Sequence, residues 1–169
     1  KGYVEIGSGT VIKSGSYIEG PVIIGKNCEI GPNCYIRPYS SLGNNVKVGN
    51  ACEVKNSIIM DGTKIPHHNY VGDSIVGRNC NFGSGTKLAN LRFDRKTIKV
   101  SIKGEKIDTG RKKLGAIVGD NVQFGINVSV YPGVKIGSDS WIAPGTLVYE
   151  DVKRESYVRV EQKTFIKKR

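Results

Sequence analysis

His67 and His68 are the only two imidazoles in the chain, and they stand side by side. Imidazole takes up and releases protons near neutrality, so one of them could serve as a general base. The plainer alternative is a solvated or capping side chain. A zinc centre built on three histidines is out of reach with two. A second signal is cationic: Arg37 lies 18 residues before Lys55 and 18 after Glu19. If positions 18 apart share one corner of a repeating fold, the two cations start one rung apart and repel. An anion such as a sugar phosphate would relieve that cost, and it suits the planar fork of arginine. Splaying into water, or neutralisation of Arg37 by Glu19, are the competing readings. The four cysteines, Cys28, Cys34, Cys52 and Cys80, show no C-x-x-C spacing. They read as buried, reduced thiols, although a Cys34–Cys52 bridge is geometrically conceivable.

Net charge is +11, and all of the excess is local. Residues 92–113 carry nine Lys or Arg against three acids and residues 153–169 carry seven against two, while the remainder balances at ten against ten. These segments could bind nucleic acid, the phosphates of a nucleotide-like cofactor, or only water. Neither carries the aromatic stacking positions of an RNA-binding module.

The elements that must position these groups follow from a six-residue repeat. Aliphatic residues recur as Ile6, Ile12, Ile18, Ile24, Ile30, Ile36, Leu42, Val48 and Val54, and again as Val118, Phe124, Val130, Ile136, Ile142 and Val148. Two positions before each stands a smaller residue, such as Val22, Cys28, Cys34 or Ser40. A period of six is neither helical nor that of a long strand. It fits a short strand plus a corner, three of which close a triangular coil of 18 residues. Stacked coils then pair as parallel strands about 4.8 Å apart, and the 22 glycines supply corners. This is an all-β, parallel β-helix of hexapeptide repeats. Outward apolar residues, among them Val11, Tyr17, Ile23, Tyr35, Ile117 and Trp141, suit a subunit interface or the underside of a loop.

The rhythm slips between Val54 and Val71, which predicts a bulge around His67, and it breaks again over 91–114. There Thr97 to Ser101 and Lys106 to Asp108 flank Lys103-Gly104-Glu105 as a hairpin. The expected organisation is a β-helix over 1–152 with a loop insertion at 91–114, then a basic tail over 153–169. No apolar run approaches the ~20 residues of a membrane-spanning helix, and no signal-peptide core is present at the start. The pattern is already running at the first residue, which is not methionine, and this predicts a fragment of a longer protein.

From Arg37 onward the order of motifs resembles the acetyltransferase domain of bifunctional sugar-1-phosphate nucleotidylyltransferase/amino-sugar-1-phosphate acetyltransferases. The matching stretches are Ile36-Arg37-Pro38, Gly49 to Lys55, His67 to Asp73, Asn81 to Thr86 and Ala89-Asn90. The resemblance implies a left-handed β-helix, a homotrimer with active sites between subunits, a cytoplasmic setting and acetyl-CoA as co-substrate. It makes His67 the base that deprotonates the sugar amine, with Arg37, Lys55, Tyr70, Asn81 and Asn90 holding the amino-sugar 1-phosphate, most simply glucosamine 1-phosphate. Ser84 would offer backbone contact to the acyl donor and Arg159 would meet coenzyme A phosphate. Glu53 would orient His67, and no metal is implied. Bacterial members reach a substrate lysine soon after the segment matching Asn90. Here Leu91-Arg92-Phe93-Asp94 opens a longer loop, in which Lys96 stands at the expected distance and Lys99, Lys112 and Lys113 are alternatives. That longer loop looks archaeal, and an upstream nucleotidylyltransferase domain is implied. Two rivals stay open: a non-catalytic β-helix that trimerises an attached pyrophosphorylase, and a nucleic-acid binder using the basic segments.

Overall fold

The computed structural model describes residues 2–168, which wind into a three-sided solenoid. Lys1 and Arg169, at the outer limits of the two expected segments, lie outside the described residues. Each coil gives one short strand to each side. The first side runs from Val4–Ile6 to Lys135–Ile136, the second from Val11–Ile12 to Tyr157–Val158, and the third from Tyr17–Ile18 to Leu147–Val148. Neighbouring strands on all three sides are parallel, as in Val22↔Ser40 or Tyr35↔Glu53.

The inward residues of the repeat build one continuous core. Ile30, Ile36, Val48, Val54, Ile65, Val71, Phe82 and Leu88 are wholly removed from solvent, and the Phe82 and Phe124 rings stack at 4.6 Å. The smaller inward position does a second job where it is polar. Thr63 Oγ1 donates to the Gly77 carbonyl at 2.7 Å and accepts from the Cys80 amide at 3.1 Å, so a corner's backbone groups are satisfied inside the core. The four cysteines fill this slot as free, buried thiols. Burial pushes the Cys80 thiol up to about 11 and raises Cys34 and Cys52 as well, which leaves them protonated and inert as nucleophiles.

The expected bulge between Val54 and Val71 is not formed. Val71 pairs with Val54, 17 residues back, where Val54 pairs with Ile36 at 18. Val76 likewise pairs with Ile59 at 17. One residue has been removed from each of two successive corners between the third and first sides, at Lys55-Asn56-Ser57 and Gly72-Asp73-Ser74. The tightened corners turn through Asn56 and Asp73 in the left-handed region, at φ 45° and 51°. His67 therefore ends a regular strand, Lys64–His67, and not a bulged loop.

The insertion after Asn90 adds no coil, since Leu88 pairs directly with Val130. It folds as an antiparallel hairpin, Lys99–Ile102 with Glu105–Asp108, closed by a two-residue turn at Lys103 and Gly104, both with positive φ. Ile98 and Val100 anchor it by burial. A Cβ on Gly133 would sit 2.6 Å from the Ile98 side chain, so the hairpin lies directly on that corner. The segment expected as a tail from 153 onward begins inside the solenoid, because Tyr157–Val158 pairs with Trp141–Ile142 on the second side. Among the described residues no helix is long and apolar enough to cross a membrane.

Candidate active site

The edge that carries the shortened corners brings together four expected site residues, Arg37, Lys55, Tyr70 and Asn90, with Asp73 beside them. Arg37, Lys55, Asp73 and Asn90 occupy this edge of the solenoid in successive coils, and Tyr70 lies on the adjoining third side. The cations do not stand against each other as the spacing alone implies. Arg37 Nη1 donates to Glu53 Oε1 at 2.8 Å, and Lys55 Nζ lies 2.8 Å from Asp73 Oδ2. A carboxylate from the following coil neutralises each cation. Glu53 is thereby committed to Arg37, contrary to the expectation that it orients His67. Glu19 is also accounted for, since its Oε2 accepts from the Tyr35 hydroxyl.

Donor capacity is left over. Arg37 Nε is buried and has no hydrogen-bond partner, while its guanidinium carbon lies 5.4 Å from the Tyr35 ring centroid. The Tyr70 hydroxyl accepts from Asn90 Nδ2 at 3.0 Å, which frees its own proton for donation. Burial, then the negative charges of Glu53 and Asp73, raise the Tyr70 pKa, so the phenol stays a donor. An oxyanion arriving here meets a guanidinium, an ammonium and a phenolic O–H.

Gly72 makes this arrangement possible. A Cβ built there would lie 2.4 Å from the Tyr70 hydroxyl and 2.8 Å from Asn90 Nδ2. The Tyr70 ring thus folds over bare backbone to reach Asn90. Gly72→Ala should keep the solenoid, as shown by an unchanged far-UV spectrum, yet weaken sugar-phosphate affinity by about tenfold through the displaced Tyr70–Asn90 pair. An unchanged dissociation constant in that variant would remove the pair from ligand binding.

His67 and Ser84 meet at the neighbouring corner, between the second and third sides. His67 is exposed, and its strand is in register with Asn50. Its carbonyl accepts from the Gly85 amide at 3.1 Å, which places Ser84 one coil on and already engages one N–H beside it. Asn69, which the sequence reading missed, holds the corner: Oδ1 accepts from the His67 amide at 3.0 Å and Nδ2 donates to the Gly83 carbonyl at 2.8 Å. Its signal was available, since a fully polar amide stands in the small inward slot two residues before Val71.

The other expected residues are dispersed. Asn81 points outward on the second side, paired with Lys64 and Gln123. Lys96 and Lys99 line a polar groove on the inserted loop with Arg92, Asp94, Thr97 and Asp108. Arg159 follows the last strand of the second side, with Nη2 3.9 Å from Glu161 Oε1. One chain therefore gathers Arg37, Lys55, Tyr70 and Asn90 at one corner, sets His67 and Ser84 at the next with Asn81 on the adjoining second-side strand, and leaves Arg159 coils away on that side.

The GMPPB C-terminal domain family matches residues 18–130, well over half of the chain and every residue of both corners. The chain belongs to that family. A second family, the bacterial transferase hexapeptide (six repeats), matches residues 115–153, the coils that follow the insertion of this GMPPB C-terminal domain. It is 54% identical to the bifunctional sugar-1-phosphate nucleotidylyltransferase/acetyltransferase of Sulfurisphaera tokodaii, over 95% of this chain and 40% of that protein. The bifunctional protein GlmU of Methanocaldococcus jannaschii is 57% identical over 63% of this chain and 26% of its own length. The chain thus spans less than half the length of these curated relatives. Among solved structures, PerB from Caulobacter crescentus, in complex with CoA and GDP-perosamine, superposes with a TM-score of 0.59 at 24% identity, covering 75% of this chain and 50% of that one. The N-acyltransferase AntD from Bacillus cereus gives 0.51 at 21% identity, over 99% and 85%. At these identities the likeness to both is one of fold.

Proposed function

We propose that this GMPPB C-terminal domain transfers acetyl from acetyl-CoA to the amine of an amino-sugar 1-phosphate, glucosamine 1-phosphate being the first choice. The observation that carries the reading is the corner where Arg37, Lys55 and Tyr70 keep donors free for a phosphate, one corner away from an exposed imidazole. Names of the archaeal relatives support it. Arg37, Lys55, Tyr70 and Asn90 bind the sugar phosphate, assisted by Asn81 and Lys96 or Lys99. His67 takes the proton of the amine as its electron pair adds to the thioester carbonyl. Collapse of the tetrahedral adduct breaks the C–S bond, and the coenzyme A thiolate recovers the proton from the imidazolium. An N–H beside Ser84, other than the engaged Gly85 amide, steadies the oxyanion. Arg159 meets the phosphates of coenzyme A. In the full-length protein an upstream domain would supply the nucleotidylyltransferase activity that the relatives' name carries.

Arg159 lies several coils from His67 within one chain, which fits a homotrimer whose active sites lie between subunits, and the relatives' names fit a cytoplasmic setting. The first side offers a surface for that assembly, as Ile23, Ile58 and Ile75 stand exposed in one column. Light scattering at micromolar concentration should give a trimer, and a monomer would return every site residue to a single chain. Acetyl transfer is tested directly by assaying glucosamine, galactosamine and mannosamine 1-phosphates with acetyl-CoA. Turnover of none of the three would favour a purely structural β-helix.

A further inference from the structure

We infer that Asp73 is a positioning residue for the sugar-phosphate corner, holding Lys55 and Asn90 in place for the ligand. The inference rests on the proposed function for the identity of that ligand. Its geometric basis lies in the two shortened corners. The Asp73 side chain is 4% exposed, yet it is a carboxylate. Lys55 Nζ donates to Oδ2 at 2.8 Å, Asn56 Nδ2 donates to Oδ1 at 2.7 Å, and Asn90 Nδ2 donates to Oδ2. One buried group thus ties together three side chains from the coils before and after its own, two of them assigned to the ligand.

The backbone leaves Asp73 little choice of direction. Its amide donates to the Lys55 carbonyl at 2.8 Å and its own carbonyl accepts from Gly115 at 2.7 Å, with φ at 51°. A six-residue corner would interpose another residue between the coils. The five-residue step, seen where Val76 follows Val71, removes it and points the carboxylate along the stack. Asn90 is in turn the root of the inserted loop, since its carbonyl accepts from the Leu114 amide at 3.1 Å. Without Asp73, the Lys55 stem and the Asn90 amide regain rotamers that must be frozen again on binding.

Asp73→Asn separates positioning from bystander charge by the sign of its effect. A bystander carboxylate only weakens the cationic field, so its neutralisation would leave glucosamine 1-phosphate binding unchanged or tighter. As a positioning residue its loss weakens that binding by about tenfold, with acetyl-CoA affinity unchanged, both read by calorimetry. In a Lys55→Ala background the same change should add little, whereas full additivity would overturn the coupling. Should Asp73→Asn fail to fold, Asn56→Ala removes the donor that no ligand uses, and a shift in the same direction of about threefold is expected. No shift there overturns the inference.

A ligand-free arm keeps the inference distinct from the reading beneath it. Exchange of the Asn90 side-chain amide and Lys55 ammonium protons with water, followed by NMR, should be slow in the parent and fast in Asp73→Asn. Equal rates overturn the positioning role even if acetyl transfer is found. Absence of acetyl transfer by the parent, with the exchange difference intact, sinks the substrate assignment alone.

Discussion

Replacing His67 with alanine lowers the turnover number for acetyl transfer by about 100- to 10,000-fold, the usual contribution of a general base. Oligomeric mass and the affinities for both substrates stay as they were, because the imidazole is exposed while the corner is held by the His67 amide and carbonyl. Steady-state kinetics with light scattering on the same preparations check both halves. The adjacent His68→Ala change acts elsewhere. His68 sits at φ 52° and its amide donates to the Asn50 carbonyl at 3.0 Å, so it is a corner residue and its variant retains turnover. Full turnover in the His67 variant would leave the chain with the fold of acyltransferases and a different chemistry.

Lys55→Ala has two expected effects, on affinity and on stability. Loss of the ammonium weakens sugar-phosphate binding by about 1–3 kcal/mol, as for other charge-assisted hydrogen bonds, and Arg37→Ala does the same. Only Lys55→Ala also strands a buried carboxylate, for which breaking a buried pair typically costs about 3–5 kcal/mol. The Lys55 side chain is 18% exposed against 37% for Arg37, so the stability penalty separates the two variants. For Asp73, burial alone would raise the pKa, but hydrogen bonds from Lys55, Asn56 and Asn90 outweigh it and hold the carboxyl below its usual value. A depressed pKa contributes stability above the unfolded value of about 3.9, and that contribution is lost as pH falls through the folded value. The gap in melting temperature between parent and Lys55→Ala should therefore be widest near neutrality and close below about pH 4. A pH-independent gap would mean that the pair contributes nothing as charges.

Much of this was legible in the residue order, for identifiable reasons. The hairpin could be read from Lys103-Gly104-Glu105 between its flanking segments, with glycine suited to a positive φ, and the structure shortens that turn to Lys103-Gly104 because Glu105 pairs with Ile102. The bulge assigned around His67 was a misreading. The five-residue steps from Val54 to Ile59 and from Val71 to Val76 mark residues removed and not added, and the strand pairing of Val71 with Val54 shows the shortened coil. Glu53 faces outward near the site and by analogy with related acid partners suits His67, whereas a strand residue reaches neighbours one coil away, here Arg37. Asp73 was passed over because no motif marks a carboxylate as buried.

Periodicity by itself determined the coil, since every sixth side chain must leave water and only a short strand with a corner meets that demand. It likewise placed Arg37 and Lys55 on one edge, whereas the choice of His67 over His68 as the base rests on the motif resemblance. Tertiary structure decided how those groups meet. Two corners shortened by one residue rotated Asp73 under Lys55 and toward Asn90, turning an expected pair of repelling cations into a neutral ladder. The reason is physical: a core constrains which residues face inward, whereas outward partners depend on register between coils, which no single strand encodes.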